Sequence, residues 1–249
     1  MKIGFFGDSY LDLFLQHDNI SRDDKPWSRR LVEDLDLDCV SSGLGGTSQY
    51  YAIHTWKKFI EKKETLDFAF FSFTWHDRLY SSYELNQAIF SSIAEKRDVA
   101  KVIEKIDRWD GVPKNYPSGV KLAAELYYNY LYSEDLSMFN YQLQLEYILN
   151  LPKKYPETNF IFIPNTEYSR QLATSLFSNG CLINFAFETL SNIEVGSPGV
   201  MPIDCNRVGH INKSNHELLK EEFHHIITNY ETYKDSIYNF DYNKFDICK

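Results

Sequence analysis

Cysteine is scarce. Cys39, Cys181, Cys205 and Cys248 are scattered over 249 residues, too few for a disulfide scaffold, and no CxxC pair suggests zinc. Long apolar runs are missing too, since nothing approaches the roughly 20 residues of a membrane span. The run after Met1, Ile3 to Phe6, is a strand's length and is broken by Gly7-Asp8. That is no secretory h-region, so a reducing, cytoplasmic setting is expected. Basic side chains are in deficit: 26 Lys and Arg stand against 35 Asp and Glu, a net charge of −9. A surface of that sign repels phosphate backbones and anionic lipid, so neither nucleic acid nor a membrane is expected as a partner. Internal repeats and low-complexity stretches are also absent.

Aromatic rings are plentiful: 18 Phe, 18 Tyr and 4 Trp, 16% of the chain. They suit either a ring-rich core or a ring-lined site. At about 150 residues per domain, the length allows a single domain over 1–249 with a sizeable insertion.

Short apolar runs alternate with helical patterns. Ile3-Gly4-Phe5-Phe6, Asp38-Cys39-Val40-Ser41, residues 67–73 and Asn159 to Pro164 read as strands, with a weaker fifth at Asn192-Ile193-Glu194-Val195. Thr47 or Ser48 is placed to cap a helix whose stripe is Ala52, Trp56, Phe59 and Ile60, and Leu219, Phe223, Ile226, Ile227 and Tyr230 form another stripe near the C-terminus. Strands separated by helices predict an α/β fold, a three-layer α/β/α sandwich on a parallel sheet. The gap between the third and fourth strands exceeds what one crossover needs. It carries helical patterns around 83–107 and 119–150 broken by Gly111, Pro113 and Pro117, so a helical insertion over 80–150 is expected beside the site. The tail after Tyr230, rich in Tyr, Asp and Asn, is expected to pack loosely.

Four segments carry residues suited to chemistry, and in a parallel sheet their positions converge on one edge, where open α/β folds place ligands. Gly7-Asp8-Ser9-Tyr10 ends the first strand, and Gly43-Leu44-Gly45-Gly46-Thr47-Ser48 ends the second. Thr74-Trp75-His76-Asp77-Arg78 follows the third, and Asp204 to His216 leads into the last long helix. Each also suits a plain turn or cap. The glycine cluster is no phosphate loop, lacking GxxxxGK[ST], and His216-Glu217-Leu218-Leu219-Lys220 is not HExxH. No metal or other cofactor is expected. Together the segments supply what an ester-cleaving serine needs: a nucleophile, a base, donors for the oxyanion and a carboxylate to orient the base.

The arrangement resembles the SGNH (GDSL-type) hydrolase family in four short blocks, with the insertion unmatched. The resemblance implies a flavodoxin-like sheet of about five parallel strands and an exposed groove. It implies Ser9 as nucleophile and oxyanion donor, Gly46 as a second donor and His210 as general base. Two departures stand out. The family's third block is typically Gly-x-Asn-Asp, where this chain has Thr74-Trp75-His76-Asp77, so His76 would replace the Asn donor. The last block usually carries Asp three residues before the His, where this chain has Arg207. Asp204 is the nearest orienter; otherwise Ser9 and His210 form a dyad and Arg207 is free for an anionic substrate group. Tyr10, Trp75, Arg78 and Arg207 are expected at the substrate, with Tyr50 and Trp109 as further rings. The expected activity is hydrolysis of a small-acyl or carbohydrate-linked ester. The alternatives are a glycan-binding or interaction module that lost hydrolysis, suggested by positions 76 and 207, and an O-acyltransferase using the same residues.

Overall fold

A computed structural model describes residues 1–13, 25–44, 48–76, 126–190, 211 and 213–245. Six parallel strands form one sheet: β1 (Lys2–Phe6), β2 (Asp38–Ser41), β3 (Phe68–Phe73), β4 (Asn159–Pro164), β5 (Cys181–Ile183) and β6 (Ser236–Tyr238), in the order β2-β1-β3-β4-β5-β6. Among the described residues, five helices of eight residues or more flank it: α1 (Trp27–Asp34), α2 (Gln49–Glu61), α3 (Glu134–Leu149), α4 (Glu167–Leu176) and α5 (Lys213–Thr228).

The period-2 alternation of side chains sorts the strands' apolar residues between two layers. Ile3, Phe5, Phe68, Phe70, Ile161 and Ile163 face one side, where Trp27 and Leu31 of α1 meet Leu219, Phe223 and Ile226 of α5. Phe6, Ala69, Phe71, Phe73, Phe160 and Phe162 face the other, against Trp56 of α2, Leu145 and Ile148 of α3 and Ala173 of α4. Strands buried on both faces read as continuous apolar runs, the signature of a parallel sheet with helices on each side. The rings pack mainly on one another: Trp27 stacks on Phe223 with centroids 4.3 Å apart, and Phe6 meets Trp56 edge to face at 5.3 Å.

The order places β2 and β3 on opposite sides of β1, so the winding direction reverses between β1 and β3. Because crossovers are right-handed, the reversal also moves the connecting helix to the other face. Accordingly α1 lies in one layer and α2 in the other. This is the flavodoxin-like arrangement, whose ligand crevice opens at the carboxyl ends of the two strands flanking the reversal.

Two features differ from the sequence expectations, in the strand count and in the tail. The sheet has six strands where about five were expected, and β5 is Cys181–Ile183; the stretch 192–195 lies outside the described residues. The described part of the tail, 231–245, is packed rather than loose, contributing β6 and burying Phe240 and Phe245. Glu231, Asp235 and Asp241 are exposed, while Tyr233 and Tyr238 are half-buried. The later part of the 119–150 pattern is α3, which packs its buried Tyr141, Leu145, Ile148 and Leu149 into the sandwich; the 83–107 pattern lies outside the described residues. Among the described residues no helix is long and apolar enough to cross a membrane.

Candidate active site at the carboxyl edge of the sheet

The chain leaves β1 through Gly7 and Asp8 and enters a single tight turn of helix, Ser9–Leu11, closed by Leu11 N–H donating to Asp8 O at 3.0 Å. Asp8 is wholly buried. Its Oδ1 accepts from Tyr10 N–H at 3.2 Å, from Ser72 Oγ at 3.3 Å and from Asn165 Nδ2 at 2.9 Å. The first of these bonds is an Asx turn that brackets Ser9 between the carboxylate and the next amide but one. Gly7 is required by close approach, since a Cβ there would lie 1.9 Å from Ser72 Oγ.

The turn after β2 docks on this one through the backbone. Leu44 N–H donates to Gly7 O at 3.0 Å and Gly43 N–H to Leu11 O at 3.1 Å. Gly43 has no room for a side chain, because a Cβ would meet Asp8 O at 2.7 Å. Ser42 Oγ accepts from Leu13 N–H at 3.0 Å, fastening the far end of the serine turn. The first and second sequence blocks are therefore one structural unit. Ser48 supplies the N-cap position of α2, though its side chain makes no capping bond.

Beyond β3, residues 74–76 are braced from both sides. Gln49, at the start of α2, accepts Thr74 N–H at 3.0 Å and donates to Ser72 O at 3.3 Å. From α3, Tyr141 donates its hydroxyl to Thr74 O at 2.7 Å and Ser137 donates to His76 O at 2.7 Å. Held between these anchors, Trp75 leaves 44% of its surface exposed. His76 turns its Nε2 to Glu134 Oε1 at 3.1 Å and packs its ring 5.5 Å from that of Tyr168. With Glu134 ionised, Nε2 carries the proton of that bond. Nδ1 is then the other ring nitrogen.

Tyr10, expected at the substrate, is instead 8% exposed, its ring edge to face with Phe187 and its carbonyl accepting Trp27 Nε1–H at 3.0 Å. The tight turn carries it inward, and its ring belongs to the core. His216 Nδ1 accepts Trp27 N–H at 3.2 Å, tying the first turn of α5 to the start of α1. Gly46, Arg78, Trp109, Asp204, Arg207 and His210 lie outside the described residues, as does the Ser9 side chain. Ile211 is buried in the same core cluster as Tyr10 and Leu11. The described thiols are poor nucleophiles: burial pushes Cys39 up to about 11 and Cys181 up to about 12. Among the described residues no three His, Cys, Asp or Glu side chains gather as a metal site.

No protein-family model matches the chain, and no curated protein matches it. Among solved structures it is similar to a psychrotrophic esterase, EstA from Pseudoalteromonas sp., in a form inhibited by monoethylphosphonate. That likeness has 13% identity and a TM-score of 0.44, over 93% of this chain and 98% of that one.

Sequence reasoning missed three residues of this edge. Ser72, Gln49 and Asn165 are all buried, and each bonds one carboxyl-end segment to another. A signal existed for two of them: Ser72 interrupts the apolar run Phe-Ala-Phe-Phe-Ser-Phe, and Asn165 directly follows the strand Asn159–Pro164.

Proposed function

We propose that the protein is a serine hydrolase that cleaves a small-acyl or carbohydrate-linked ester through an acyl-enzyme. The observation that carries this reading is the docked pair of turns at the winding reversal, in which Gly43 and Leu44 are bonded to the Gly7–Leu11 turn. An Asx turn brackets Ser9 there. Such a unit brings the turn that carries Ser9 and the segment that leads toward Gly46 to the edge where α/β folds bind ligands, which supports the reading.

In the proposed reaction Ser9 Oγ attacks the ester carbonyl carbon while His210 takes its proton. The resulting oxyanion is held by the amides of Ser9 and Gly46, with His76 as the third donor. Collapse breaks the C–O bond to the alcohol, which leaves with the proton from His210. Water then attacks the acyl-enzyme, giving its proton to His210, and the acid departs as Ser9 regains a proton. Asp204 orients His210, or the pair works as a dyad. The exposed Trp75 offers an apolar platform for a sugar face, which favours the carbohydrate-linked class. Arg78 and Arg207 are proposed to meet an anionic group. With an alcohol in place of water, the same steps describe acyl transfer.

The binding-module reading is favoured by one observation, the engagement of His76 Nε2 by Glu134. Losing an oxyanion donor costs roughly 3–4 kcal/mol of transition-state stabilisation. The deciding experiment compares wild type with Ser9→Ala on a short p-nitrophenyl ester, alongside labelling by a fluorophosphonate. Turnover and labelling are expected in wild type and near-background values in the variant. Equal rates in two folded proteins overturn the hydrolase reading.

A further inference from the structure

We propose that Asn165 is a positioning residue for the Ser9 turn, acting through the Asp8 carboxylate; the inference rests on the hydrolase reading above. Asn165 follows β4 and is wholly buried. Its backbone N–H donates to Phe73 O at 3.0 Å and its carbonyl accepts Glu188 N–H at 2.8 Å. Its backbone is thereby fixed by the ends of two strands and by the segment after β5. From that fixed point Nδ2 reaches Asp8 Oδ1 at 2.9 Å, closer than Tyr10 N–H at 3.2 Å or Ser72 Oγ at 3.3 Å.

The chemistry of the amide separates this role from packing. Asn165 Oδ1 is buried and has no hydrogen-bond partner among the described residues. A buried acceptor left unmet is costly, and an apolar side chain of similar volume avoids that cost. What the amide supplies that Leu cannot is a donor to Asp8. An ionised carboxylate only accepts, so its orientation is set by the donors around it. Ser72 can rotate its hydroxyl, whereas the Asn165 amide is planar and anchored. The oriented Oδ1 then holds Tyr10 N–H and with it the backbone on either side of Ser9. A relay runs from the end of β4, past Ser72 on β3, to the nucleophile turn on β1.

The test uses the full chain with Asn165→Leu and Asn165→Asp. Three quantities are measured: the second-order rate of Ser9 labelling by a fluorophosphonate, kcat and KM on a short p-nitrophenyl ester, and thermal unfolding. Labelling and kcat are expected to fall roughly 10- to 100-fold at neutral pH, the scale of a small misplacement of a reacting group, with KM little changed. Asn165→Asp adds a signature that a structural role does not produce. At neutral pH the introduced carboxylate repels Asp8 and donates nothing, but once protonated it can donate as the amide did. Its labelling rate relative to wild type should therefore rise as the pH falls. Wild-type labelling in a folded variant, or a ratio that does not change with pH, overturns the proposal. So does unfolding of both variants, which assigns Asn165 to the fold instead. Wild-type protein that the probe fails to label overturns the hydrolase reading, and this inference with it. Labelled wild type with indifferent variants overturns Asn165 alone.

Discussion

Gly7 and Ser72 share a space that holds only one side chain. A methyl group at position 7 would fall 1.9 Å from Ser72 Oγ and 3.0 Å from its Cβ, so the strand ends or the serine must move. Gly7→Ala is expected to destabilise the protein by about 1–3 kcal/mol, the ordinary range for overpacking, measured by urea denaturation. Ser72→Ala removes the nearer clash while also removing a bond to Asp8. The double variant should therefore cost less than the two single changes added together, and strict additivity would show that the two sites are independent. At this scale the sequence was partly legible. Gly7, Asp8, Ser9 and Gly43 form motifs with a recognisable spacing. Ser72, Gln49 and Asn165 are polar letters whose side-chain partners lie 23 or more positions away, a distance at which no local pattern can announce a bond.

Among elements, the strands β1, β3 and β4 were legible because burial on both faces demands continuous apolar runs, and the half-exposed edge strand β2 was legible from the glycine cluster that closes it. The stripe of α2 was legible because Ala52, Trp56 and Phe59 all turn inward. β5 and β6 were not, since three residues are too few to show a period and β6 sits among polar letters. Phe240 shows what the tail contributes. It is 3% exposed, and its ring meets Phe185 at 5.6 Å and Phe223 at 5.8 Å, both edge to face. Phe240→Ala is expected to cost about 3–5 kcal/mol, read from the denaturant midpoint at unchanged slope. A tail lying loosely on the surface would give almost no change. Tyr230 anchors the same end: its hydroxyl donates to Phe160 O and accepts Phe160 N–H, both at 3.1 Å, and burial pushes its ionisation upward.

For the whole molecule, the surplus of nine negative charges acts on any charged substrate before contact. An anionic ester approaches against the field, and salt weakens that field as the screening length falls from about 30 Å at 0.01 M to about 8 Å at 0.15 M. The kcat/KM for an anionic ester is expected to rise over that range while a neutral ester of the same acyl group stays flat. A fall for the anionic ester would mean that local cations, Arg78 and Arg207 being the proposed ones, outweigh the net charge. The fold class was legible at this scale from the alternation of strands and helices. The edge that gathers the candidate segments was legible too, whereas the pair of strands flanking the winding reversal was not, because it depends on strand order, which is a property of pairing.

The stack of Trp27 on Phe223 has a consequence for synthesis. The indole joins the beginning of the chain to its end: its Nε1–H holds the carbonyl of Tyr10, and its face waits for a ring 196 positions later. On the ribosome the first two strands emerge long before that ring exists. The turn at Ser9–Leu11 therefore lacks this backing until Phe223 has been made, so the packing behind it forms late in synthesis.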